Sequence, residues 1–158
     1  MPTFSASNTY QTRSCSLPTS VNNIAAFIAE ARTWTGTPFV HHQACKGIGA
    51  DCTQFVVAAA RVAGLLPAGY RTVKYNRDWA LHTNVSVLTA ELSRYCDEIP
   101  LKGIEPGDLI TFNFSQTAHH LGIYIGNGEM IHAHIRRGVC IEPVEHYRAR
   151  LVAAWRLK

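Results

Sequence analysis

Cys52 stands directly behind the loop Gly47-Ile48-Gly49-Ala50 and an acid, Asp51, at the front edge of a long apolar run. A filler cysteine ordinarily sits inside such a run; one at its leading edge is placed to meet solvent. Asp51 with Gln54 three residues later fits a capping-box-like helix start, which puts Cys52 in the first helical turn. Unpaired backbone N–H groups there favour an anion, so the expectation is a thiol pKa well below the free value. Gly47 and Gly49 would let the loop approach a substrate without side-chain obstruction. A nucleophilic thiolate also needs a proton acceptor, normally a histidine oriented by a third polar group.

Three of the eight histidines, His120, His132 and His134, fall on two alternating runs, "HLGIYIG" and "EMIHAHI", joined through Gly126-Asn127-Gly128. This is a hairpin pattern. A two-residue loop at Asn127-Gly128 would place His132 opposite Ile123, on an apolar face. A three-residue loop, with Gly128 left-handed in a bulge, pairs Gly122 with His132, Tyr124 with Met130 and His120 with His134. The other face then reads Leu121, Ile123, Ile125, Ile131, Ala133 and Ile135. A one-residue slip would mix both faces, so the second register is preferred. It gathers three imidazoles on one surface. Pattern alone leaves open whether His132 or His134 is the third group.

Elsewhere, Ser20 can cap a helix over residues 21–34, with Ile24, Phe27, Ile28, Ala31 and Trp34 on one stripe. Gly36-Thr37-Pro38 stops it. The run from Phe55 to Leu66 is apolar almost all round, which predicts a central buried helix ended by Pro67-Ala68-Gly69. A short helix is expected over 87–96. "EPGDLITFNF" reads as a turn and a strand, and "GVCIEPV" and "LVAAWRL" as closing strands. Residues 70–85, including Trp79, give no clear pattern. Helices followed by an antiparallel sheet make the fold α+β, with residues 1–20 a polar arm and 21–158 one domain.

The chain has 158 residues, 47% hydrophobic and 16% charged, with a net charge of +4. That suits one folded domain. No basic stripe interleaved with aromatics is present, so nucleic acid is not an expected partner. No run approaches the roughly eighteen apolar residues of a membrane span. The N-terminus lacks an apolar h-region, so synthesis in the cytoplasm without a signal peptide is expected, with anything outside reached by lysis, injection or a carrier. Five cysteines in irregular spacing argue for reduced thiols rather than a disulfide framework. Cys15, Cys45, Cys96 and Cys140 read as inert. His41, His42, Cys45, Cys52, His120 and His132 are suitable metal-ligand types, so a metal-binding module is an alternative, but no CxxC or HExxH spacing supports it. No cofactor and no metal are expected.

Taken together, Asp51-Cys52, Pro106-Gly107-Asp108-Leu109, His120-Leu121-Gly122-Ile123-Tyr124 and His132 resemble the papain-like NlpC/P60 cysteine peptidases. The segment "ARTWTGTPFVHH" further resembles the phage-tail branch. By that resemblance Cys52 is similar to the nucleophile, His120 to the general base and His132 to the group orienting it. It implies hydrolysis of peptide bonds in cell-wall stem peptides, commonly next to γ-linked D-glutamate, without a metal. Asp51, Thr53, Phe39 and His134 become candidates for substrate contact. Two features depart from the family: many members carry a carbonyl-binding tyrosine shortly before the cysteine, to which the nearest match here is Phe39, without a hydroxyl, and Thr53-Gln54 replaces Ser-Gly. These departures keep alive a non-catalytic component of a phage tail or other assembly that retains the peptidase fold.

Overall fold

The computed structural model describes residues 21–75, 86–114 and 118–158. The expected arm, Ser20 and Trp79 lie outside them. Helix α1 (Val21–Arg32) is followed by a small ribbon, β1 (Ala44–Cys45) and β2 (Gly49–Ala50), and then by α2 (Cys52–Val62). After α3 (Val87–Tyr95) come β3 (Cys96–Ile99), β4 (Leu109–Asn113), β5 (Ala118–Gly126), β6 (Glu129–His134), β7 (Gly138–Pro143) and β8 (Leu151–Leu157). Strands β3–β8 form an antiparallel sheet in the order β3-β8-β4-β5-β6-β7. The α+β class expected from the pattern is what the chain adopts.

Each face of the sheet carries its own apolar cluster. Phe27, Trp34, Phe55, Ala59 and Leu92 from the helical layer meet Leu121, Ile123, Ile131, Ala133 and Trp155 from the strands. On the opposite face Ile110, Phe112, Met130 and Ala154 pack under Val144 and Tyr147, residues of the 3-10 segment Val144–Arg150. The alternation along β5 and β6 therefore sorts as the pattern requires. Ile135, expected on the apolar face, is instead 60% exposed, because β6 ends at His134 and Ile135 belongs to the following turn.

From Gly122 to Tyr124 the hairpin register is the one expected, reached by a different route; the expected His120–His134 pair is not among the β5–β6 partners. Gly122 pairs with His132, Ile123 with Ile131 and Tyr124 with Met130, but Gly126 pairs with Glu129. The turn is thus Asn127-Gly128 alone, both residues left-handed at φ 54° and 75°, as a two-residue hairpin turn requires. A bulge between Tyr124 and Gly126 supplies the one-residue offset. The extra residue sits in the strand, not in the loop.

Helix α2 also ends earlier than the apolar run suggests. Gly64, at φ 71°, lets Leu65 N–H bond the Ala60 carbonyl at 2.8 Å and Gly64 N–H bond that of Arg61 at 3.0 Å. This glycine-terminated stop precedes Pro67. Phe55, Val56, Val57, Ala59 and Ala60 are buried, whereas Val62 in the last turn is exposed.

Asp108, in the turn before β4, is buried and takes a two-pronged contact from Arg156 of β8, Nε to Oδ1 and Nη2 to Oδ2, both 2.8 Å. That pair ties two strands far apart in sequence.

Candidate active site

Asp51 builds the start of α2. Its backbone is extended and its Oδ1 accepts Gln54 N–H at 2.8 Å, the N-cap expected. Gln54 does not return the bond, because its amide donates to Thr72 Oγ1 at 2.8 Å instead. Asp51 Oδ2 accepts His42 N–H at 2.8 Å and the Tyr75 hydroxyl at 2.7 Å. His41 Nδ1 lies 3.6 Å away. The loop before the nucleophile position is thereby wound around one buried carboxylate. Gly49 has no room for a side chain, since a Cβ there would press on Val40.

Cys52, Thr53, Phe39, Asp51, His120, His132 and His134 all line one cleft of about 660 Å3 between the first turn of α2 and the strands. The site residues suggested by the sequence are therefore brought together. Cys52 is half-buried, with Thr53 Oγ1 3.9 Å from its sulfur and the Leu121 backbone as a further partner. Its sulfur thus sits one residue along β5 from His120.

The thiol differs from expectation. Burial, and then the negative charge of Asp51, push it up to about 11, while the backbone groups of Leu121 and Thr53 act the other way and lose. Loss of water around the sulfur is the larger cause, and the residue that caps the helix, itself an anion, adds to it by opposing the field that would favour a thiolate. Burial likewise holds the His120 imidazole down at about 3, helped by the neighbouring His132, His119 and His134 rings. Both shifts favour a neutral thiol beside a neutral imidazole over a resting ion pair.

Behind His120 runs a chain of hydrogen bonds. His120 Nε2 lies 2.8 Å from His132 Nδ1, and His132 Nε2 lies 2.6 Å from Glu142 Oε2. His132 is 1% exposed, with Tyr147 packed against its ring at 5.3 Å. Burial lowers the His132 pKa more than Glu142 raises it. Glu142 is the residue that reading the sequence missed. It sits on β7 in a Glu-Pro-Val context that looks like an ordinary strand exit, and only the β6–β7 pairing, with His132 opposite Cys140, carries it behind His132. Burial opposes its charge, but hydrogen bonds from Tyr147 and His132 and the Arg137 pair outweigh that and hold its carboxyl at about 2.

His134 has two engagements. It lines the cleft, and its Nδ1 accepts the backbone N–H groups of Arg136 and Arg137 at 3.1 and 3.2 Å, closing the β6–β7 turn. Cys140, read as inert, lies 3.8 Å from both His132 Nε2 and Glu142 Oε2. His132, Cys140 and Glu142 are the described residues whose donor atoms come close enough for a metal, within 4.8 Å. The imidazole and carboxylate of that group are already spent on each other. Among the described residues Cys45, Cys52, Cys96 and Cys140 are free, and no helix there is long and apolar enough to cross a membrane.

Residues 36–156 match the model of the NlpC/P60 family. The chain belongs to that family. Among similar proteins is a probable endopeptidase p60 of Listeria grayi, 30% identical over 123 residues, or 77% of this chain and 20% of that one. A murein DD-endopeptidase MepS/murein LD-carboxypeptidase of Escherichia coli K12 is 36% identical over 53 residues, 34% of this chain and 28% of that one. The peptidoglycan hydrolase RipB of Mycobacterium tuberculosis has the same fold, with a TM-score of 0.61 at 17% identity over 86% of this chain and 65% of that one. The chain spans about a fifth of the length of the first curated relatives it matches. The NlpC/P60 fold seen in the neighbours agrees with the papain-like architecture that the motifs implied.

Proposed function

We propose that this NlpC/P60 domain is a cysteine peptidase that hydrolyses amide bonds in bacterial cell-wall stem peptides, next to γ-linked D-glutamate. The observation that carries the reading is a half-buried cysteine at a helix start, sharing one cleft with a histidine that is hydrogen-bonded to a second, buried histidine. The printed names of the relatives, endopeptidases and peptidoglycan hydrolases, support the substrate class.

In this reading the Cys52 sulfur attacks the carbonyl carbon while His120 Nδ1 takes the thiol proton, so charge separation develops during attack. The tetrahedral intermediate collapses, His120 returns the proton to the leaving amine, and a thioester remains. Water, deprotonated by His120, hydrolyses it and restores the thiol. His132 orients the His120 ring. The Cys52 backbone N–H, at the helix start, is a donor for the oxyanion. Phe39 brings no hydroxyl to it, and one missing donor costs about 3 kcal/mol. Phe39, Asp51, Thr53 and His134 are assigned to substrate contact. Delivery to the wall by lysis, injection or a carrier such as a phage-tail assembly completes the reading.

Mass spectrometry of purified stem peptides incubated with the wild type and with Cys52→Ala tests it. New fragments from the wild type alone are expected, and their masses name the bond. If neither protein cuts any stem peptide while both fold, the cell-wall assignment fails. The raised thiol pKa and Phe39 would then favour a retained fold serving in an assembly.

A further inference from the structure

For His120 Nδ1 to take the thiol proton, the single proton of each neutral ring must sit on the other side. A base must present a bare nitrogen to the thiol. Nothing in an isolated imidazole guarantees that, because its single N–H can sit on either side. We propose that Glu142 is a positioning residue that settles the question for both histidines, leaving His120 Nδ1 unprotonated toward the Cys52 side. The proposal rests on Cys52 and His120 being nucleophile and base.

Donor groups surround the Glu142 carboxylate. Tyr147 O–H is 2.7 Å from Oε2 and Arg137 Nη2 is 2.6 Å from Oε1. Cys140 Sγ is 3.8 Å from Oε2, and His146 Nδ1 is 4.0 Å from Oε1. With a guanidinium on one oxygen and a phenol on the other, the carboxylate is an acceptor throughout. His132 Nε2, 2.6 Å from Oε2, must therefore be the N–H side of its ring.

A neutral imidazole has one N–H, so His132 Nδ1 accepts. His120 Nε2, 2.8 Å from it, must then donate, which leaves His120 Nδ1 with its lone pair. The opposite arrangement would set the His132 Nε2 lone pair against a carboxylate oxygen at 2.6 Å, with no proton between them. Water cannot relieve that arrangement, because His132 is 1% exposed and Glu142 6% exposed. The lowered pKa values of both rings agree with neutral imidazoles.

The experiment is nitrogen-15 NMR of the full chain with labelled histidine, near neutral pH, the rings assigned by single histidine substitutions. Expected in the wild type are an unprotonated Nδ1 and a protonated Nε2 for both His120 and His132. A proton on His120 Nδ1 overturns the proposal, and that spectrum needs no variant to fold. In Glu142→Leu the fixed pattern at His120 gives way to a mixture. Cys52 alkylation by iodoacetamide and the kcat of any peptide cleavage fall by roughly ten- to a hundredfold, with KM unchanged, as for a residue that orients a ligand or base from behind. Glu142→Gln, which retains one acceptor oxygen, loses less. A folded Glu142→Leu with the wild-type proton positions and alkylation rate also overturns it. Neither the spectrum nor the alkylation uses a cell-wall substrate. The predicted proton positions with no stem-peptide cleavage would therefore support the positioning role while defeating the substrate assignment.

Discussion

Asp51 does two opposed things to the residue that follows it. Its side chain caps α2 and so creates the turn in which Cys52 sits. Its charge then raises the thiol that the same turn would otherwise help to ionise. Near about pH 6, Cys52 should be alkylated no faster than a free thiol, with reaction gaining only as pH approaches the thiol range. Asp51→Asn, which retains a good cap and removes the charge, should raise the alkylation rate near neutral pH by up to about tenfold, one pKa unit's worth. A fast wild-type reaction at about pH 6 would restore the ion-pair picture.

At the scale of elements, the imidazoles are placed by backbone devices rather than by their own preferences. The bulge between Tyr124 and Gly126 turns His132 to the face that Glu142 also occupies. Gly138, at φ 71°, opens β7 and lets residues 36–37 pair with it, through Gly36 N–H to the Val139 carbonyl and Val139 N–H to that of Thr37, both 2.8 Å. A Cβ on Gly138 would lie 2.2 Å from the Thr37 carbonyl oxygen. Gly138→Ala combines that collision with a left-handed backbone and should cost about 2 kcal/mol or more. Denaturant unfolding measures this; a loss under about 0.5 kcal/mol, the size of an ordinary surface substitution, would show that the contact is dispensable.

The whole molecule should be acid-sensitive, and the sign follows from two depressed pKa values. His120 is held down at about 3, so below its unfolded value of about 6.5 the unfolded chain binds a proton that the folded one refuses. Glu142 is held at about 2, so its contribution is present above the unfolded value of about 4.3 and is lost as pH falls toward the folded one. Both effects act in the same direction. The thermal midpoint should fall from neutral pH to about pH 5 on account of His120, and more steeply below about pH 4 as Glu142 joins it. Glu142→Gln should flatten the lower part of that fall. A midpoint unchanged between about pH 7 and pH 4 would contradict the buried, neutral His120.

Features written in neighbouring residues were legible in the sequence. They include the cap at Asp51, the strands around Asn127-Gly128 and the two-faced alternation of β5 and β6. Each of these depends on contacts within a few positions or on a strict period, so residue type alone carries it; that Cys52, His120 and His132 belong to one site was implied only by the resemblance of their motifs to a known family. The early stop at Gly64 was in the same local class, but the apolar run beyond it drew the helix boundary outward. What needed the tertiary structure was strand order and burial. That includes β8 between β3 and β4, Asp108 joined to Arg156, Glu142 carried behind His132 by the β6–β7 pairing, and the burial that pushes the thiol up. Hydrogen-bond order and pKa depend on which charges come within about 3 to 4 Å and how much water they lose, and no spacing along the chain encodes either.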